Sequence, residues 1–214
     1  MKLHDYFRSS AAYRVRIALN LKGLTAERAF VHLRRGVQNS DDYRALNPQG
    51  LVPVLETDDG TVITQSLAII EYLEETHPLP PLLPRDANGR ARVRGIALAI
   101  ACDIHPLNNL RVLRYLTGTL GVPDAQKDGW YRYWCDTGLE ALERRLTDDA
   151  ATGTFCHGAA PTLADVCLVP QLANARRVAV DLSAFPTLSR IDAACQALPA
   201  FAAAAPARQP DAEP

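Results

Sequence analysis

Four prolines within seven positions, Pro78, Pro80, Pro81 and Pro84, divide this sequence into two stretches with different periodicities. Proline fixes φ and lacks an N–H, so neither a helix nor a central strand runs through such a cluster. Before it, residues 2–6 read as extended. A helix over Tyr13 to Lys22 follows, with Val15, Ala18, Leu19 and Lys22 at helical spacing and Gly23 as the stop. Ala29 to Leu33 reads as a second strand, completing a βαβ unit with a parallel pair. Leu51 to Glu56 and Thr61 to Thr64 flank Asp58-Asp59-Gly60, which predicts an antiparallel hairpin. Ser66 is expected to cap a helix over Leu67 to His77. The order is β-α-β-α-β-β-α, an α/β domain over residues 1–80. Beyond the prolines, residues 88–119, 124–146, 162–178 and 187–197 all read helical, giving an all-α domain over 88–210. The tail from Pro206 is proline-rich and polar, and is expected to fray.

At 48% hydrophobic and 22% charged, the 214 residues can bury a core in each stretch without staples. A net charge of −1 lacks the basic excess that nucleic acid or an anionic membrane demands, so a small molecule is the expected partner. Cys102, Cys135, Cys156, Cys167 and Cys195 form no pair at metal or redox spacing and are expected to be reduced thiols in a cytoplasmic protein. No metal site is expected. Met1 to Asp5 has no signal-peptide core, and no apolar run approaches the roughly 20 residues that cross a bilayer.

Three ordered motifs precede the prolines: Tyr6-Phe7-Arg8-Ser9-Ser10 with Tyr13-Arg14-Val15-Arg16-Ile17-Ala18-Leu19, then Asn47-Pro48 with Val52-Pro53, then Gln65-Ser66 with Ala68-Ile69-Ile70. Further on come Cys102-Asp103-Ile104-His105-Pro106 with Asn108-Asn109, then Pro161-Thr162-Leu163-Ala164-Asp165, then Ala175-Arg176-Arg177. Together they resemble the zeta glutathione transferases over essentially the whole chain. The resemblance implies a thioredoxin-like N-terminal domain, an all-helical C-terminal domain supplying the substrate-side wall, glutathione as cofactor, and a homodimer. It also implies cis-trans isomerisation of maleylpyruvate or maleylacetoacetate, small dicarboxylates met in aromatic catabolism.

Ser9 and Ser10 stand where a strand gives way to a helix, a place where free amides and the helix dipole favour negative charge. By itself such a serine is a helix N-cap. With the resemblance, Ser9 first and Ser10 second become donors to a glutathione thiolate. The family's Ser-Ser-Cys is Ser9-Ser10-Ala11 here, so the sulfur must come from the ligand. Val52-Pro53 reads locally as an edge proline; the resemblance makes it a cis proline whose preceding backbone pairs with the cysteinyl part of glutathione. Gln65 and Ser66 open a helix and, by resemblance, hold the γ-glutamyl group.

Pro106 must bend its helix, and the resemblance puts His105 and Asn109 beside glutathione. Arg8, Arg111 and Arg177 are the arginines a dicarboxylate would require for bidentate grip, Arg8 and Arg177 ahead of Arg111. Each alone reads as a surface charge. Thr162 and Asp165 have the spacing of a capping box, a stability device. Two other functions share these motifs: glutathione conjugation of small α-halo acids, and a transferase-like binding module without turnover. Between the two isomerase substrates no residue decides, although Ala11 leans toward maleylpyruvate.

Overall fold

A computed structural model describes residues 1–213 of the 214. The chain forms two compact units: Met1–Leu82 together with Gln196–Pro214, and Leu83–Cys195. The first unit therefore takes in residues 196–210, the end of the stretch 88–210 expected to form the all-α domain.

In the first unit, β1 (Lys2–Asp5) leads into α1 (Ser10–Leu21) and returns as β2 (Glu27–Phe30), parallel to β1. A short α2 (Asp41–Leu46) precedes the hairpin of β3 (Val54–Glu56) and β4 (Val62–Thr64), and α3 (Ser66–Thr76) closes the run. The sheet order is β2-β1-β3-β4, with β3 antiparallel to both of its neighbours. This is the β-α-β-α-β-β-α order read from the sequence.

Alternation along the strands builds two apolar layers. Leu3 and Leu55, directly opposite in register, are fully buried, as are Val15, Ala18, Ile69 and Leu73 of α1 and α3. Val54 points the other way, into a cluster with Tyr6, Phe7, Val31, Tyr43 and Val52. Lys22 at the end of α1 pairs with Glu74 of α3 at 2.8 Å and donates to the carbonyls of His77 and Pro80. The proline linker is thereby fastened to the domain it leaves.

Two expectations fail in this unit. Ser66 does not cap α3: the N-cap is Gln65, held at φ 70°, and Ser66 is the first helical residue. The described part of the tail, residues 206–213, does not fray either; Pro214 lies outside the described residues. After α9 (Pro199–Ala204), buried Gln209 donates to the carbonyls of Ala203 and Ala205, while Asp211 accepts the Phe7 amide at 2.9 Å. Proline and polar composition flagged an unanchored end, but the anchors are single polar side chains that leave no periodicity to detect.

The second unit is helical throughout. Its helices are α4 (Ala87–Leu98), α5 (Leu110–Gly118), α6 (Asp124–Thr147), α7 (Leu163–Arg177) and α8 (Pro186–Gln196), the last of these ending at the unit boundary. Eleven residues of α7 are buried, which makes it the central helix of the unit. The predicted bend is present: α4 loosens into a π-type turn over Ala99–Ile104, a 3-10 turn begins at Pro106, and α5 restarts from Asn109. Gly138 of α6 makes room for that turn, since a Cβ there would lie 2.3 Å from Ile104 Cγ1. Among the described residues no helix is long and apolar enough to cross a membrane, and no cluster is suited to a metal ion.

Candidate active site

Antiparallel pairing in the first unit gathers three of the sequence motifs at one end of its sheet. His4 near the end of β1 lies opposite Val54 at the start of β3, which lies opposite Thr64 at the end of β4. The turn after β1, the loop before β3 and the start of α3 therefore share an edge. Tyr6 and Phe7 of the first pack against Val52 of the second. Arg14, one turn into α1, donates from Nη1 to Ser66 Oγ at 3.3 Å and so ties the first to the third.

Ser9 is the N-cap of α1, its Oγ accepting the Ala12 amide at 3.2 Å, and its own amide closes a turn onto the Tyr6 carbonyl at 2.9 Å. An accepting hydroxyl still has its proton to donate, so capping and stabilisation of an anion are compatible. Ser10 is buried as the first residue of the helix, Ala11 is half-buried, and Arg8 stacks over the Phe7 ring at 5.1 Å. The Val52–Pro53 peptide is cis, and Val52 precedes the ladder pairs, which begin at Val54.

At α3 no side chain caps the helix, and its first intrahelical bond runs from Ile69 N–H to the Gln65 carbonyl. The amides of the first turn and the dipole behind them are arranged for a carboxylate. Gln65 is exposed, and its Nε2 donates to Gln49 Oε1 at 2.9 Å. Its left-handed backbone, unusual for a residue with a side chain, stores strain of the sort found at ligand clamps. Sequence reading missed Arg14 and Gln49. Arg14 lay inside a motif, but nothing in an arginine at that position says that it is 2% exposed and bonded to Ser66.

The remaining candidates lie in the second unit. Asn109 is the N-cap of α5, its Oδ1 accepting the Arg111 amide at 3.1 Å, while Arg111 itself is exposed. His105 is half-buried at the bend. The segment after it is bound to α6 through Trp130 Nε1 on the Leu107 carbonyl at 2.8 Å and Asn108 Nδ2 on the Tyr131 carbonyl at 3.3 Å. Exposed Arg177, at the end of α7, reaches the same stretch, its Nη2 3.4 Å from Tyr131 Oη and its guanidinium over the ring. The Tyr131 phenol is pushed up chiefly by burial, with Arg177 pulling it down. The unit thus brings the His105 bend and Arg177 to one point on α6, and leaves Arg111 out on the surface.

Residues 8–76 match the glutathione S-transferase N-terminal domain and residues 135–208 the C-terminal domain of the same family. A probable maleylacetoacetate isomerase of Vibrio cholerae is 54% identical, covering 98% of this chain and 97% of its own length. Among solved structures, a holo maleyl pyruvate isomerase described as a bacterial zeta-class glutathione S-transferase superposes with a TM-score of 0.97 at 49% identity, all of both chains aligned. A maleylacetoacetate isomerase from Methylobacterium extorquens AM1 with malonate and glutathione bound gives a TM-score of 0.98 at 45% identity, again over all of both chains. With a thioredoxin-like first unit, a helical second unit and full-length relatives at about half identity, the chain belongs to the glutathione S-transferase family.

Proposed function

We propose that the protein is a glutathione-dependent cis-trans isomerase that converts maleylpyruvate or maleylacetoacetate to the fumaryl product. The observation that carries this is the shared edge of the first unit, where a serine hydroxyl, the backbone before a cis proline and an uncapped helix start come together. These three match the thiol, the cysteinyl backbone and the γ-glutamyl carboxylate of one tripeptide. The relatives named above, isomerases of maleylacetoacetate and maleyl pyruvate, supply the substrate class.

When bound, glutathione supplies a thiolate whose reversible addition to the conjugated cis double bond permits rotation about that bond, and it is regenerated on release of the product. Ser9, with Ser10 beside it, donates to the sulfur and favours its ionised form. The Val52 backbone pairs with the cysteinyl residue. Gln65, Ser66 and the first amides of α3 hold the γ-glutamyl carboxylate. His105 and Asn109 contact glutathione from the helical unit. Arg8, Arg177 and, more remotely, Arg111 bind the substrate carboxylates and offset charge developing on its keto oxygen, a kind of stabilisation worth several kcal/mol. Residues 1–80, joined by the tail from Gln196, form the cofactor-binding domain, and residues 88–195 the substrate-side wall. Two copies associate as a homodimer in the cytoplasm, in keeping with five cysteines that form no disulfide; sedimentation of the purified protein checks the association.

The direct test follows loss of the maleyl chromophore with each keto-acid, with and without glutathione. Turnover only in the presence of glutathione, without its consumption, is the expected result. Conjugation of α-halo acids with both keto-acids left untouched sinks the proposal. A second expected result concerns α3: Ser66→Ala removes a hydroxyl from the carboxylate clamp and weakens glutathione binding about tenfold by calorimetry, the loss of one hydrogen bond to a charged group. Unchanged affinity removes Ser66 from the clamp.

A further inference from the structure

We infer that the C-terminal tail, through Asp211, is a positioning element for the Ser9 turn. This deepens the proposed function and rests on its reading of Ser9 as the donor to the thiolate. Asp211 Oδ2 accepts the amide of Phe7, two residues before Ser9 in the chain and 204 before Asp211. On the other side of the same residue, Arg16 Nη2 donates to the Phe7 carbonyl at 3.1 Å. Both peptide groups of Phe7 are thus held from outside the turn, and its side chain is buried against Val52.

Arg16 itself is braced: Nη1 donates to Asp5 Oδ1 at 2.8 Å and Nε to the Ala204 carbonyl of α9 at 2.9 Å. The chain end therefore grips the turn twice, once directly and once through Arg16. Two further anchors flank Asp211. Gln209 accepts Arg28 Nη2 at 3.2 Å, and Glu213 bonds to His32 Nε2 at 3.0 Å and contacts Arg35. Since the Ser9 amide closes back onto the Tyr6 carbonyl, freedom gained at Phe7 passes directly to the serine. A small misplacement of a catalytic hydroxyl costs rate while leaving ground-state contacts elsewhere in place.

The experiment titrates the thiol of glutathione bound to each variant by its ultraviolet thiolate absorbance, and measures kcat with maleylpyruvate and maleylacetoacetate. Asp211→Ala is expected to raise the ionisation midpoint by about one pH unit and to lower kcat about tenfold. Its glutathione Kd stays within about twofold, because the clamp at α3 is untouched. Asp211→Asn loses the charge facing Arg16 and Arg28 but keeps an oxygen for the Phe7 amide, and restores most of both readouts. Equal impairment of the two variants overturns the inference, since it makes the charge and not the hydrogen bond the cause. An unshifted midpoint with only a lower Tm overturns it too, reducing the tail to a staple. Where the alanine variant does not fold, the double variant Gln209→Ala with Glu213→Ala, which loosens the tail around an intact Asp211, decides: a midpoint equal to the parent's refutes positioning. Ser9→Ala titrated alongside separates the two failures. If its midpoint does not move, the thiolate reading of Ser9 is wrong and the role of the tail falls with it. If it moves and that of Asp211→Ala does not, only the tail inference fails.

Discussion

Ser9→Ala is expected to lower kcat about twentyfold at neutral pH while changing glutathione affinity only a few-fold. The magnitude follows from the thiol. An alkyl thiol ionises near pH 8.5, so only about 3% is thiolate at neutrality; lowering that value by about two units makes it mostly thiolate, at about 2.7 kcal/mol of differential stabilisation. A hydrogen bond to a charged acceptor supplies about 1.5–3 kcal/mol, so most of the shift is within reach of one hydroxyl, the start of α1 contributing the rest. The complication is that Ser9 also caps α1 through the Ala12 amide. Loss of a cap costs about 1 kcal/mol of stability on replacement by alanine, but only a few tenths on replacement by glycine. Ser9→Gly therefore separates the roles. It should keep nearly the parent's thermal stability and lose turnover as severely as alanine, whereas Ser9→Thr, which keeps the hydroxyl and suits the extended backbone at φ −71°, should recover much of both. Parent-like kcat in the glycine variant leaves Ser9 a cap and nothing more.

The order of elements was legible because it rests on periodicity and punctuation. Gly23 and the Asp58-Asp59-Gly60 turn marked the ends of α1 and of β3 in the first unit, and Pro106 marked the bend in the second. The three-motif edge was legible only through family resemblance: Val52-Pro53 and Gln65-Ser66 read locally as an edge proline and a cap, and in the structure the first is a cis peptide and the second begins a helix that no side chain caps. What stayed hidden is the buried polar framework. Arg16 looked like one more charge on a helix that ought to be amphipathic, yet it is 2% exposed and carries Asp5 and three carbonyls. Arg14 is concealed in the same way. A charged residue at a buried helical position breaks the hydrophobic stripe, so the pattern itself points the wrong way, and only the partners, far off in sequence, explain it. The tail is the extreme case, with Asp211 meeting its partner across nearly the whole chain.

Asp165→Ala, the other large effect, tests the second unit by itself. The carboxylate is fully buried at the start of α7. Its Oδ2 accepts the Thr162 amide at 2.7 Å and the Thr162 hydroxyl at 2.9 Å, completing the predicted capping box, and its Oδ1 accepts the Cys156 amide at 2.7 Å. The box thus does more than end a helix: it fixes the loop before α7 to the helix on which the unit is packed. Burial pushes the Asp165 carboxyl above its ordinary range, against the pull of the Cys156 and Thr162 donors, and the Cys156 thiol is pushed well up by its own burial and by the carboxylate beside it. Alanine leaves Thr162 in place as the N-cap but strands two buried amides, those of Thr162 and Cys156, at about 1–3 kcal/mol each. It also relieves the cost of burying a carboxyl, which holds the expected net loss to about 3 kcal/mol. For a chain of this size that lowers Tm by roughly 9 °C, read from the helical circular dichroism signal. Asp165→Asn is expected to recover less than half of this, because its single carbonyl serves one side of the junction and turns an N–H toward the donors on the other. Full recovery by asparagine would mean that the loop and the helix do not depend on one shared carboxylate, and that the box is an ordinary cap.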